Sequence, residues 1–153
     1  MCDKYSSPAT LLLALGAVLI FPGCSTFTYD WRQAAKQSTP TNEITGRWEG
    51  SWISTANGHH GALRCLVMKR ADGGFDARYR ATYQRVLSFS YTVPLHTDVG
   101  AVGGVFRGEA DLGWLAGGIY QYEGRANATN FFSTYDSKYD RGTFQMQRPA
   151  PMP

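Results

Sequence analysis

The cysteines and histidines, the side chains best suited to nucleophilic, acid–base or metal chemistry near neutral pH, are few in this chain and scattered along it: Cys2, Cys24 and Cys65, with His59, His60 and His96. Adjacent His59 and His60 would point to opposite faces of a strand, and no carboxylate or cysteine stands at ligand spacing beside them. The pair reads as a solvated hairpin loop, not a metal site. In His96-Thr97-Asp98 a carboxylate could fix the imidazole tautomer, but no third partner accompanies it, so this segment also reads as loop. The glycine-rich run 100–108 lacks the Gly-Lys-Ser/Thr ending and the following helix of a phosphate loop; its glycines fit a strand better. Asn127-Ala128-Thr129 has the form of a glycosylation sequon. Cys65, inside Leu63-Arg64-Cys65-Leu66-Val67, has no neighbouring base to activate a thiol and reads as a small buried hydrophobe. No catalytic set, metal site or cofactor is therefore expected, and the chain does not read as an enzyme.

Cys24 has a different setting. Lys4 supplies a thin positive region, and 10–21 is an apolar run of twelve residues ending in Phe21-Pro22-Gly23-Cys24-Ser25. Spanning a bilayer takes about 20 residues, so the run suits the core of a signal peptide. Its end resembles the lipobox of bacterial lipoproteins, where a small residue precedes a cysteine that becomes both the acylated residue and the new N-terminus. Gly23 and Cys24 match that pattern, while Phe21 and Pro22 replace the usual Leu or Val and small residue. The resemblance implies a signal peptide over 1–23, a palmitate-bearing N-terminus at Cys24, and attachment to a membrane of the bacterial cell envelope through that anchor. Ser25, where Asp would resemble a retention signal, implies the outer membrane facing the periplasm in preference to the inner membrane. With Cys2 removed and Cys24 acylated, Cys65 is left without a disulfide partner.

Behind these residues lie the elements that must position them. Residues 24–43 carry few branched aliphatics and read as a lipidated N-terminus and tether. In this segment Asp30 could cap one helical turn through Lys36. Phe27, Tyr29 and Trp31 could either lie at a lipid interface or dock onto the domain. From Ile44 the hydrophobic period becomes two, with Ile44, Trp48 and Trp52 on one face; Phe75, Tyr79 and Tyr83; Phe89 and Tyr91; Phe106 and Ala110; Phe144 and Met146. Turn residues separate about eight strands, at 44–54, 61–70, 75–84, 86–94, 101–112, 115–124, 129–136 and 142–148. The expected fold is all-β: an antiparallel meander over 44–149 forming a closed or nearly closed barrel, with a β-sandwich as the alternative and a Pro-rich tail at 150–153. Closure requires the first strand to pair with the last. Phe75, Tyr79, Tyr83, Phe89 and Tyr91 should be buried, and Arg78, Arg80, Ser88 and Ser90 should not.

The 153-residue length suits a leader and one small domain, and 43% hydrophobic with 14% aromatic residues excludes a disordered chain. Fifteen Lys and Arg against twelve Asp and Glu give a net charge of +3 without a basic cluster, so no nucleic-acid partner is expected. Gly46-Arg47-Trp48 resembles the G-x-W motif of the calycins, the lipocalin and avidin-like barrels. That resemblance implies a first-strand Trp48 covered by a basic residue of the last strand, the role that falls to Arg148. An eight-stranded barrel can be filled by side chains or hold one small ligand. Tyr79, Tyr83, Tyr91, Tyr120 and Tyr122 are the interior residues expected to line such a site. The functional expectation is a lipid-anchored envelope protein binding a small hydrophobic or aromatic molecule. The alternative is a structural or interaction lipoprotein with a packed barrel and an envelope-protein partner.

Overall fold

In the computed structural model the described residues are 23–38, 44–97 and 104–150. The apolar leader over 1–22, part of the tether, Asp98 beside His96, the start of the glycine-rich run and the last three residues lie outside them. A helix α1 (Gly23–Ala35) precedes eight strands: β1 (Gly46–Ser54), β2 (His60–Lys69), β3 (Phe75–Tyr83), β4 (Leu87–Thr97), β5 (Val105–Asp111), β6 (Ile119–Ala126), β7 (Asn130–Asp136) and β8 (Arg141–Gln147). Each strand is antiparallel to the next, and the meander closes where β1 meets β8, with Gly50 opposite Met146 and Trp52 opposite Phe144. Closure pairs every strand with two neighbours, so the first and last strands leave no free edge.

Side-chain alternation produces the core. Ile44, Trp48, Trp52, Leu63, Cys65, Val67, Ala77, Tyr79, Val93, Leu95, Phe106, Tyr122, Phe131, Phe144 and Met146 share one interior cluster. Two departures from simple alternation appear on the outside. Leu66 and Arg47 point away from the barrel, yet Leu66 is buried and Arg47 is only 7% exposed, because α1 lies over them. The one helical turn read from Asp30 to Lys36 is thus a 13-residue helix. Phe27 and Trp31, one turn apart, stack at 5.8 Å and form a small cluster with Leu66. The aromatics of the tether that are buried are docked on the domain.

Two strands differ from the sequence reading for identifiable reasons. β4 runs past Pro94 to Thr97; Pro94 has no N–H to donate, and the β4–β5 ladder begins only at the next residue, Leu95 opposite Gly108. β6 starts at Ile119, not near 115, because Trp114–Ala116 form a 3-10 turn closed by two left-handed glycines, Gly117 (φ 102°) and Gly118 (φ 77°). The β4–β5 ladder holds three residue pairs, against nine between β3 and β4. Residues 87–93 of β4 therefore have no ladder partner on the β5 side.

Candidate functional site

The two ends of the barrel are built differently. At the end where β1 begins and β8 finishes, the Trp48 indole donates to the Ile44 carbonyl at 2.8 Å, and its ring packs on Phe131. The Arg148 guanidinium lies 3.6 Å from the Trp48 ring centroid and donates to the carbonyls of Thr45 at 2.7 Å and Arg47 at 3.3 Å. Partial burial lowers the Arg148 pKa to about 10. Phe106, packed at a tilt on Phe131 with centroids 4.8 Å apart, lies behind this lid. This end is shut.

At the opposite end the turns after β1, β3, β5 and β7 surround a cavity of about 310 Å³. Trp52, Ala81, Phe89, Tyr91, Leu112, Tyr120, Tyr122, Tyr135, Asp140 and Phe144 line it. Most of its rings belong to one connected set, which continues beneath the cavity through Tyr79. Tyr79 stacks on Tyr91 at 5.3 Å and on Tyr122 at 6.2 Å, Tyr120 meets Tyr122 at 6.3 Å, and Tyr135 packs on Phe144 at 5.0 Å. Phe89 and Tyr91 come from the part of β4 that lacks a β5 ladder, and Leu112 follows directly after β5, so the cavity lies beside that gap. Around the mouth Val86, Leu87, Trp114 and Leu115 are exposed.

The five interior tyrosines are therefore placed unequally. Tyr91, Tyr120 and Tyr122 line the cavity; Tyr79 is fully buried beneath them; Tyr83 stands at the rim, 6.3 Å from Trp52 and 5.0 Å from the exposed His59 ring. Phe89 departs from expectation. Its parity is interior, but it is 48% exposed because it sits where the barrel opens. Phe75, Tyr83 and Tyr91 are only partly buried. On the outer face, Ser88 and Ser90 are exposed, while Arg78 and Arg80 are partly covered by α1: Arg78 pairs with Asp30, and Arg80 donates to Thr28.

Burial dominates the electrostatics of the interior. It pushes the phenols of Tyr79 and Tyr91 well above their ordinary value, and raises those of Tyr122 and Tyr135. Burial also pushes the Cys65 thiol well up, so Cys65 is an inert core residue and no nucleophile at neutral pH. The Tyr79 hydroxyl is buried against the Cys65 thiol, a weak hydrogen-bonding group, and has no nitrogen or oxygen partner among the described residues.

Tyr135, Trp52 and Asp140 are among the cavity's lining residues beyond the tyrosines that the sequence singles out. Tyr135 shares its parity with Phe131, so alternation within 129–136 could have placed it inside. The alternation of β1 places Trp52 on the interior face but does not say that it walls a cavity. Asp140 stands between the strands expected at 129–136 and 142–148, and nothing local indicates that this turn folds over the barrel mouth. His60 caps its own hairpin through Gly58, and Asn127 forms a turn by accepting from the backbone of Thr129 and Asn130. Among the described residues, no group of three or more His, Cys, Asp or Glu side chains could hold a metal ion. No helix among them is long and apolar enough to cross a membrane. No protein-family model matches the chain, and no curated protein is significantly similar to it.

Proposed function

We propose that the protein is a lipid-anchored cell-envelope protein, a binding module and not an enzyme, whose barrel takes up a small hydrophobic or aromatic molecule. One observation carries the binding reading: a barrel shut at one end by Trp48 and Arg148 keeps a cavity of about 310 Å³ open at the other, walled by aromatic rings. That size and lining suit a small-molecule site. The eight-stranded meander with a basic side chain over the first-strand tryptophan is compatible with a calycin-like barrel. Attachment rests on Gly23-Cys24 at the end of the apolar run, and the outer membrane facing the periplasm remains the preferred location.

Native mass spectrometry of the chain as its own host produces it tests the binding reading. A discrete small molecule should accompany the protein and be lost from Tyr120→Ala; protein that is consistently free of any such adduct argues against it. For the anchor, Cys24→Ser should move the protein out of the membrane fraction, and a Cys24→Ser chain that still sediments with membranes would defeat that part. A second reading, docking of an envelope protein, is favoured by the exposed apolar tips Val86, Leu87, Trp114 and Leu115 around the mouth. It predicts a partner that co-purifies with the unaltered chain and is lost from Trp114→Ala.

A further inference from the structure

The mouth cavity contains an acid held in place by neutral groups. Asp140 sits in the turn between β7 and β8, where Ser137 accepts from the backbone N–H groups of Tyr139 and Asp140 and donates to the Asp140 carbonyl. Its carboxylate accepts from Ser54 Oγ at 2.5 Å on Oδ1 and from Tyr135 Oη at 3.4 Å on Oδ2. Both donors are hydroxyls, so they orient the carboxylate without cancelling its charge. The ion pairs among the described residues use Glu49, Asp30, Asp72, Asp76, Glu123 and Asp136. Asp140 is in none of them, and no Lys or Arg lines the cavity. A carboxylate offers about four lone-pair sites, of which these two hydroxyls use two.

The rings next to it reinforce the same sign. Tyr135, which bonds Asp140, packs on Tyr120 at 6.1 Å and on Phe144 at 5.0 Å. The face of an aromatic ring is the negative part of its quadrupole, so a cation beside such a wall is attracted by ring and carboxylate together. An anion entering the cavity is repelled, and a neutral molecule gains only burial. A small, strongly hydrated ion would lose its water shell against the apolar lining, whereas an alkylated or aryl-substituted ammonium loses little. We infer that the cavity selects organic cations: a weakly hydrated ammonium joined to an apolar or aromatic body, with its charge between Asp140 and the rings of Tyr120 and Phe144. This inference rests on the small-molecule reading above and adds the charge of the ligand.

The test is a titration of the full chain with three matched probes: benzyltrimethylammonium, its neutral isostere neopentylbenzene, and benzenesulfonate. The cation should bind roughly tenfold tighter than the neutral isostere, and the sulfonate more weakly than either. Asp140→Asn should bring the cation down to the level of the neutral probe, both measured on that variant. Equal affinity of cation and isostere on the unaltered chain, or undiminished cation binding by Asp140→Asn, overturns the charge inference while leaving the cavity as a neutral site. Failure of all three probes to bind overturns the small-molecule reading itself. If Asp140→Asn does not fold, salt dependence takes its place. Cation affinity should then fall as salt is raised while that of neopentylbenzene does not, and a salt-independent cation affinity counts against the inference.

Discussion

Arg148 joins three separate backbone segments through one side chain. Its guanidinium covers the Trp48 ring at 3.6 Å and donates to carbonyls before and within β1, and its Nε reaches the Ala128 carbonyl of the β6–β7 turn at 3.4 Å. A partly desolvated cation–π contact together with charge-assisted hydrogen bonds is worth about 2 kcal/mol. Arg148→Ala should lower the unfolding free energy by about that amount in a denaturant titration. Arg148→Lys should lose less, because it keeps the charge over Trp48 but not the planar fork of donors. A loss below about 0.5 kcal/mol for Arg148→Ala would mean that the lid is ornamental. Cys65 allows a prediction of the opposite kind. Buried among Leu63, Val67 and Tyr79, its thiol should resist alkylation in the native chain and react on unfolding. Peptide mapping after iodoacetamide treatment reads this at Cys65 separately from the other cysteines.

Helix α1 is the element least tied to the barrel core. It contributes Phe27 and Trp31 to a satellite cluster with Leu66 on the outer face, and this cluster is distinct from the interior one. Around it stand cations: Arg47 and Arg64 lie 5.4 and 5.3 Å from the Trp31 ring centroid, and Arg78 pairs with Asp30. Because the two clusters are separate, loosening the helix should not open the barrel. In Phe27→Ala with Trp31→Ala, α1 should become sensitive to protease and its amides should exchange faster, while the strands keep their protection. Loss of barrel protection in the same variant would show that α1 is part of the folding core. If Cys24 carries the anchor, a docked α1 would also hold the barrel close to the membrane and restrict its orientation, so the helix would act as a bracket instead of a loose tether.

At the scale of the whole molecule, the interior is built from phenols and a thiol whose burial favours their neutral forms. Tyr79, Tyr91, Tyr122, Tyr135 and Cys65 all have raised pKa values, with desolvation as the leading cause in each. A group whose pKa is raised on folding stabilises fully below its unfolded value and loses that contribution as pH climbs towards the folded value. The losses should therefore begin near 9 for the thiol and near 10 for the phenols. Arg148 and Arg47 act in the opposite sense, since burial lowers both pKa values, that of Arg148 to about 10, and their buried charge is relieved at high pH. Two groups oppose five, so the net expectation is alkaline unfolding. Denaturant midpoints should fall steadily from about pH 9 upward, with phenolate absorbance from the buried tyrosines appearing together with the loss of β-structure. Release of all the phenols before unfolding would mean that water enters the barrel freely.

Alternation of polar and apolar residues, read with the turn residues between the runs, determined that there are about eight strands and which face of β1, β3, β4 and β8 points inward; it fits either a barrel, in which the first strand meets the last, or a sandwich. The inward faces follow from a local rule, because neighbouring side chains on a strand must point to opposite faces and only one face is buried. Parity says which way a residue points but not how far along the barrel axis it lies. Tyr79 and Phe89 share the interior face, yet one is fully buried and the other is 48% exposed at the mouth. The same limit hid Asp140, whose place in the cavity depends on the β7–β8 turn folding over the mouth and on hydroxyls from two strands, Ser54 and Tyr135. It also hid the burial of Arg47 and Leu66, which point outward and are covered only because helix α1, the element before β1, folds back onto the outside of the barrel. Tertiary structure alone decided these features, since barrel depth, the convergence of turns and the docking of a helix all arise from contacts between residues far apart in the sequence.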